Sequence, residues 1–432
     1  MSWNLHRYYS DRNIGLLGHL ILSKEEDESL RTLRDTVRKR IKDVFEEANK
    51  LANELMVKQL NFNDIISKLG YTYLRHLSYS DKYEIAQLFQ EMDVDTKIEF
   101  MQLEPRFGTQ GSFQYKTHNR PYQNGQEIDI DDGTYLPMTF FESEPKVGHK
   151  MLTLLVDAAL KSLVKENFDW HFESKRTCAR IKIPKQKIHI DVPMYAIPRG
   201  KFVQKAIVSE SCSTYQNSIN SAFDSNEEAY EKIDSLHVNL ALRDETPGSA
   251  KWMNSDPKVV EDWFKCECNR IGDHLKDVCR IFKAWRDAQW VEKGPTSISL
   301  MAAVVNILNK APHDPRDFGS LIYIVADRLA QEFLNGIDSP DETDQKPLFP
   351  PAREHGDFEK TVIAKMKILP FILRDAEESD TKQSAIENLN KAFGTRVKDL
   401  SLINSRAAAP AFVSNPLKGE TPQQISQTMI SG

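Results

Sequence analysis

Apolar residues recur at two spacings along the chain, and the change from one to the other marks its elements. Residues 24–58, KEEDESLRTLRDTVRKRIKDVFEEANKLANELMVK, hold strong helix formers with no Pro or Gly, which predicts one long helix. A further helix is expected over 80–101. Across 106–140 the text alternates and is punctuated by Gly, so strands and tight turns are expected there. A helix over 147–166 follows, then two strand-like runs, TCARIKI at 177–183 and KIHIDVPMYAI at 187–197. Residues 199–250 are polar and irregular and read as an excursion or lid. Asp256-Pro257 has the form of an N-cap followed by a first-turn proline, and helical spacing then covers 257–288, 297–310, 318–335 and 380–394. An acidic, proline-rich loop, SPDETDQKPLFPP, occupies 339–351, and after about 400 the pattern dissolves into small and polar residues.

This order predicts an α+β fold: a mixed sheet flanked by helices, then a helical C-terminal domain. The expected division is 1–250 for the long helix and sheet-bearing core, 251–399 for the helical domain, and 400–432 for a flexible tail. A chain of 432 residues exceeds what one hydrophobic core usually serves, which agrees with two or three subdomains.

Composition narrows the function classes. The 57 Lys and Arg against 63 Asp and Glu leave a net charge of −6. That argues against a surface built to grip long nucleic acid, though not against a small phosphate ligand held by a few cations. The most apolar run, MLTLLVDAALKSLV at 151–164, carries Asp157 and Lys161 and reads as an amphipathic helix rather than a membrane span. The first residues lack an apolar leader core, so a cytoplasmic location is expected. Five cysteines without a C-x-x-C pair fit a reducing compartment. Cys266, Cys268, His274 and Cys279 fall within helical spacing, and C-x-C is not a zinc-finger pattern, so buried thiols are the favoured reading.

The candidate chemistry lies in carboxylates. QEIDIDDGTY at 126–135 alternates Ile and Asp, with no Lys or Arg nearby in the chain. On a strand, Asp129 and Asp131 share one face ~7 Å apart while Ile128 and Ile130 face the core. Such a pair repels unless a cation lies between, and Mg2+ with substrate phosphates suits it. The competing reading is a solvated turn at Asp132-Gly133. An EF-hand fails, because counting from Glu127 puts Asp132 where glycine is required. HIDVPMY at 189–195 sets a third acid, Asp191, on a strand that reads as buried, where aspartate is rare without a partner. Upstream, the Gly-Ser turn of TQGSFQYKT offers backbone N–H groups and a hydroxyl to a phosphate, without the lysine or spacing of a Walker loop. A Gly-Ser turn, then D-x-D, then a distant Asp indicates metal-dependent phosphoryl transfer.

That conjunction resembles the polymerase-beta-like nucleotidyltransferase superfamily. TQGSFQY, GQEIDIDDGTY, HIDVPMYAIP, KAWRDAQW, GPTSISLM and KPLFPP resemble its bacterial cGAS/DncV-like branch along nearly the whole chain. The resemblance implies a polymerase-beta-like core and one active site that joins ATP and GTP in two successive transfers to 3′,3′-cyclic GMP–AMP. It also implies Mg2+ or Mn2+ as cofactor and a role in anti-phage signalling through a phospholipase-type effector. Asp129, Asp131 and Asp191 match the metal-binding acids, with Asp191 also a general base. Gln110, Gly111, Ser112, Phe113, Gln114 and Tyr115 match the nucleotide-binding turn, with Ser112 on a terminal phosphate and Tyr115 available to stack on a base. Arg180 matches a cation near the nucleotides, Lys283 and Ser297 match phosphate contacts, and Asp344 matches an acid that reads guanine.

Each has a plainer reading: Arg180 as the ion-pair partner of Asp191, Lys283 as an exposed lysine, Tyr115 as core. Relatives can carry a folate pocket built from arginines on the first long helix and a tryptophan before the Gly-Ser turn. Here Arg34, Arg38 and Lys42 share a helical face, but Gly108 stands at the tryptophan position, which argues against folate regulation. The resemblance further implies that Gly432 is conjugated by a ubiquitin-activating-like enzyme. The alternatives are a nucleotidyltransferase with another cyclic or linear product, and a binding module with a vestigial site.

Overall fold

The computed structural model describes residues 2–58, 60–141, 144–145, 147–199, 238–243, 251–292, 294–341, 344 and 346–406. The excursion expected at 199–250 lies mostly outside these residues, as do Cys212, residues 407–432 and the conjugation candidate Gly432.

Along the chain come β1 (Trp3–Asn4), α1 (His6–Ser10), α2 (Leu16–Leu20), α3 (Lys24–Lys58), α4 (Phe62–Leu69), α5 (Tyr79–Glu91) and α6 (Val94–Met101). The single helix expected over 80–101 is thus two. Asp93 takes an extended conformation and caps the second by accepting from Thr96 N, which breaks the run. Next are β2 (Arg106–Gln110), α7 (Gly111–Gln114), β3 (Ile128–Met138), β4 (Phe140–Phe141), β5 (Glu144–Pro145) and α8 (His149–Glu166). They are followed by β6 (His171–Ser174), β7 (Ala179–Ile183), β8 (Ile188–Val192), β9 (Met194–Pro198), β10 (Asn239–Leu242) and β11 (Lys251–Asn254).

The helical half comprises α9 (Pro257–Ile271), α10 (His274–Gln289), α11 (Ser297–Lys310), α12 (Phe318–Asn335), α13 (Asp357–Glu377) and α14 (Lys382–Phe393), with β12 (Asn404–Ser405) after them. Asp256 caps α9 with Pro257 in its first turn, as the dipeptide predicts. Gly272, at φ 120°, divides what reads as one helix over 257–288. The helix α13 was hidden by Pro370 inside it.

Eight strands form one mixed sheet. Residues 188–198 run parallel to β3 in one unbroken register, from Ile128↔Ile188 to Met138↔Pro198. Pro193, which has no N–H to give, interrupts this run, but its carbonyl accepts from Thr134 N at 2.8 Å. β2 lies antiparallel along β3, β7 along β8, and β10 along β9. The sequence Asp132-Gly133 makes no turn: β3 passes straight through it to Met138.

Two large apolar clusters hold the molecule. One joins Ile130, Ile181, Ile188 and Ile190 of the sheet to α3, α5, α6 and α8. The other joins α10 to α14 with residues from the start of the chain: Trp3, Leu5, Tyr8, Tyr9, Leu16, Leu17 and Leu20. The first twenty residues therefore pack with the helical half, although they precede the sheet-bearing core. Residues 400–406, expected to open the flexible tail, are built into the fold. Leu402 and Ile403 are fully buried, and β12 pairs with β1.

Candidate active site

Period-two alternation puts Ile128 and Ile130 toward the core and Asp129 and Asp131 on the opposite face of β3. The same face of β8 carries His189 and Asp191, and that of β7 carries Arg180 and Lys182. Strand register sets these six side chains in two rows. Arg180, Asp191 and Asp131 are cross-strand neighbours, as are Lys182, His189 and Asp129.

In the first row Arg180 grips Asp191 with both arms, Nε to Oδ1 at 2.6 Å and Nη2 to Oδ2 at 2.7 Å. The ion-pair reading of Arg180 therefore holds in this state. Asp131 pairs with no cation so directly, and its pKa is pushed up to about 8 by burial first and then by Asp129 and Asp191. In the second row Glu127 accepts from His189 Nδ1 at 3.1 Å while Lys182 Nζ lies 3.2 Å from its other oxygen. His189 Nε2 stands 2.9 Å from Asp129 Oδ1. Burial disfavours a proton on this imidazole, but the Asp129 carboxylate outweighs it and the pKa is raised. The two atoms are buried and form an ion pair off good hydrogen-bond alignment. Ligand atoms of Asp129, His189 and Asp191 all lie within 4.8 Å of one another, the one such group of three or more among the described residues. Converging donors of this kind fit a divalent cation.

β2 delivers the Gly-Ser turn to the acids. Gln110 ends the strand, held by Tyr135 and Tyr195, whose rings stack 4.8 Å apart. Gly111 then turns into α7 at φ 62°, and any side chain there would collide with Asp131 Oδ2. So Asp131 leans on the turn, apart from the cluster of Asp129, His189 and Asp191. Behind the turn, Thr117 N donates to Ser112 O at 2.9 Å. Phe113 is a core residue facing Arg31 and His118.

The helical half reaches the turn through α9 and α10. Gln114 donates to Glu261 at 3.2 Å, and Tyr115 packs on Phe264 with centroids 5.7 Å apart. Arg280 donates to the carbonyls of Lys116 and His118. Lys283 is buried, its Nζ 2.7 Å from Thr117 O, and burial together with Arg286 lowers its pKa to about 7.

Two family models match this chain: the nucleotidyltransferase domain of the cyclic GMP-AMP synthase DncV-like family over residues 105–195, and the cyclic GMP-AMP synthase C-terminal domain over 272–406. A cyclic GMP-AMP synthase of Vibrio cholerae serotype O1 is 52% identical over 438 positions, covering 100% of both chains. The chain belongs to the DncV-like nucleotidyltransferases. An Escherichia coli cyclic GMP-AMP synthase is 50% identical over the same span. A solved structure of a mutant Vibrio cholerae dinucleotide cyclase in complex with ATP and GTP matches with a TM-score of 0.86 and 52% identity, covering 93% of this chain and 99% of that one. Another, of the cyclase with the linear intermediate pppA(3′,5′)pG, matches with a TM-score of 0.85 at 50% identity, covering 94% and 100%.

The remaining residues of this DncV-like enzyme divide by location. Ser297 opens α11, its hydroxyl accepting from Arg286 at 2.8 Å, one turn along α10 from Lys283. Asp344 is exposed and accepts from Ser339 at 2.6 Å within its own loop; none of its recorded bonds ties it to the acids. Asp132, the acid on the core face, has a structural duty. It is 2% exposed and takes two bonds from Arg38, at 2.5 and 2.8 Å. Arg34 is likewise buried, bonded to Thr109 at 2.9 Å, so two of the three α3 cations are tied to the sheet while Lys42 is exposed. Cys268 and Cys279 are buried in the helical core, but Cys266, read with them as a buried thiol, is exposed. His189, Glu127, Lys182 and Arg280 were not singled out from sequence. His189 carried a usable signal, since it stands two residues before Asp191 and shares its face.

Proposed function

We propose that this nucleotidyltransferase joins ATP and GTP into 3′,3′-cyclic GMP–AMP. In each of two transfers a ribose 3′-hydroxyl oxygen bonds to an α-phosphorus, the bond to the bridging oxygen breaks, and pyrophosphate leaves. Asp191 takes the hydroxyl proton, with Arg180 fixing its carboxylate. Ser112 and the backbone of the Gly-Ser turn hold a terminal phosphate, Lys283 and Ser297 meet phosphates from the helical side, Tyr115 offers a ring to a base, and Asp344 accepts from guanine. Asp129, Asp131 and Asp191 would hold Mg2+ or Mn2+, which when bound neutralises phosphate charge and lowers the pKa of the attacking hydroxyl.

The observation that carries this reading is the acid-bearing face of β3 and β8 set against the Gly-Ser turn, in a chain about half identical end to end to curated cyclic GMP-AMP synthases. Incubation with labelled ATP, GTP, CTP and UTP, followed by mass analysis, tests it: a single cyclic product of ATP and GTP is expected, and a product lacking a mixed purine pair overturns it. Asp129→Ala with Asp131→Ala should abolish product while the protein stays folded.

The family likeness also supports a cytoplasmic enzyme of anti-phage defence whose product activates a phospholipase-type effector. No helix among the described residues is long and apolar enough to cross a membrane. It supports, too, amide conjugation of Gly432 by a ubiquitin-activating-like enzyme. Deleting Gly432 should spare synthesis in vitro and stop covalent attachment in cells; attachment that persists refutes it.

A further inference from the structure

We propose that His189 binds the active-site cation directly through Nε2, so that the site has a mixed nitrogen–oxygen donor set and prefers Mn2+ to Mg2+. The proposal rests on the reading that Asp129 and Asp191 hold a cation, and adds a ligand that the acid pattern does not supply.

Three observations lead there. The ring is held for ligation, because Glu127 accepts from Nδ1 at 3.1 Å and is itself fixed by Lys182 at 3.2 Å. A carboxylate on one ring nitrogen directs the lone pair of the other outward, the arrangement metal-binding histidines use. Next, Nε2 and Asp129 Oδ1 are buried and face each other 2.9 Å apart as an ion pair, with no other partner for either atom. Each atom depends on the other alone, so a cation that displaces the proton between them could take both as ligands. Adjacent ligands on one ion with bonds of about 2.1 Å lie about 3 Å apart, which is the spacing these two atoms have. Last, the backbone sets the geometry. His189 lies opposite Asp129 in the parallel register and two residues before Asp191 on the same face, and the three converge within 4.8 Å.

The choice of ion follows from donor type. Mg2+ takes oxygen ligands and rarely imidazole, whereas Mn2+ accepts both. Replacing the imidazole by an amide should therefore cost Mn2+ more than Mg2+.

The test uses the full-length, metal-stripped protein without nucleotide, titrated with Mn2+ and observed by electron paramagnetic resonance, with Mg2+ as competitor. Wild type should bind Mn2+ with nitrogen hyperfine coupling from one imidazole. His189→Gln should lose that coupling and bind Mn2+ about tenfold more weakly, while Mg2+ affinity changes less than about threefold; Glu127→Gln should weaken Mn2+ binding while keeping the coupling. Mn2+ that binds in an Asp129-dependent manner without nitrogen coupling overturns the His189 ligand and leaves the acid site standing. Absence of Asp129-dependent Mn2+ binding overturns both. Thermal melts of each variant confirm that a loss is not unfolding.

Discussion

Asp131 and Lys283 show how the site strains against its own charge. Asp131 is raised from 3.8 to about 8, chiefly by burial. A carboxyl raised in the fold contributes stability that is complete below its unfolded pKa and is lost as pH climbs through the folded value. The metal-free enzyme should therefore weaken between about pH 4 and pH 8. Asp131→Asn removes the penalty, so in chelator its melting temperature should exceed wild type by about 2 °C or more at pH 8.5 and by little at pH 5. Lys283 is the mirror case. Its pKa falls from 10.5 to about 7, so stability present at high pH is lost as pH drops through 7. Lys283→Met should melt higher than wild type at pH 6, and calorimetry should show it binding GTP at least about tenfold more weakly. Equal melting at pH 6 would contradict the buried, reluctant cation.

Between elements, polar groups set the register. The long helix α3 is tied to β3 by the Arg38–Asp132 pair and by bonds from Arg34 and Arg38 to Thr109. Removing one partner of a buried pair strands the other, at about 3–5 kcal/mol. Arg38→Ala should lose stability on that scale in urea denaturation, and adding Asp132→Asn should recover part of it. A double mutant no better than Arg38→Ala would show that the pair does not couple helix to strand. The strap from Lys116 to Gln126 works likewise: α10 holds it by side chains donating to main-chain carbonyls, while Gln123 and Gln126 return bonds to Asp287 O. Backbone positions carry that contact, which is why side-chain patterns did not reveal it.

At the scale of the molecule, residues near the start of the chain and residues 402–405 close one core. Trp3 is buried, its indole N–H donates to Ser379 O at 2.6 Å, and β1 pairs with β12. Trp3→Ala should cost about 3–5 kcal/mol, read as an early unfolding transition of the helical half, with the sheet-bearing half melting later. A single unshifted transition would mean that this closure contributes nothing. The two halves meet at the Gly-Ser turn, where α9 and α10 contact α7 and the residues after it, so the proposed nucleotide site would lie where the two cores join.

Periodicity alone determined the long helix, the strand-like run at 187–197 that the structure divides at Pro193, and the face on which Asp129, Asp131 and Asp191 stand, because helix and strand repeats are local properties of the chain. Helix breaks at Asp93 and Gly272 were written in capping residues but hidden by continuous apolar spacing around them. Apart from Arg180, whose pairing with Asp191 was one of the readings the sequence allowed, the partners of the acids were not legible. Arg38, Lys182 and His189 are dozens of residues from the carboxylates they serve, and only strand register and helix packing bring them to 3.2 Å or less. For the same reason Asp132, which the sequence offered as a turn residue, proved to be a core ion-pair partner of Arg38. Local chemistry sets which faces are charged; tertiary pairing decides which charges are left for a substrate.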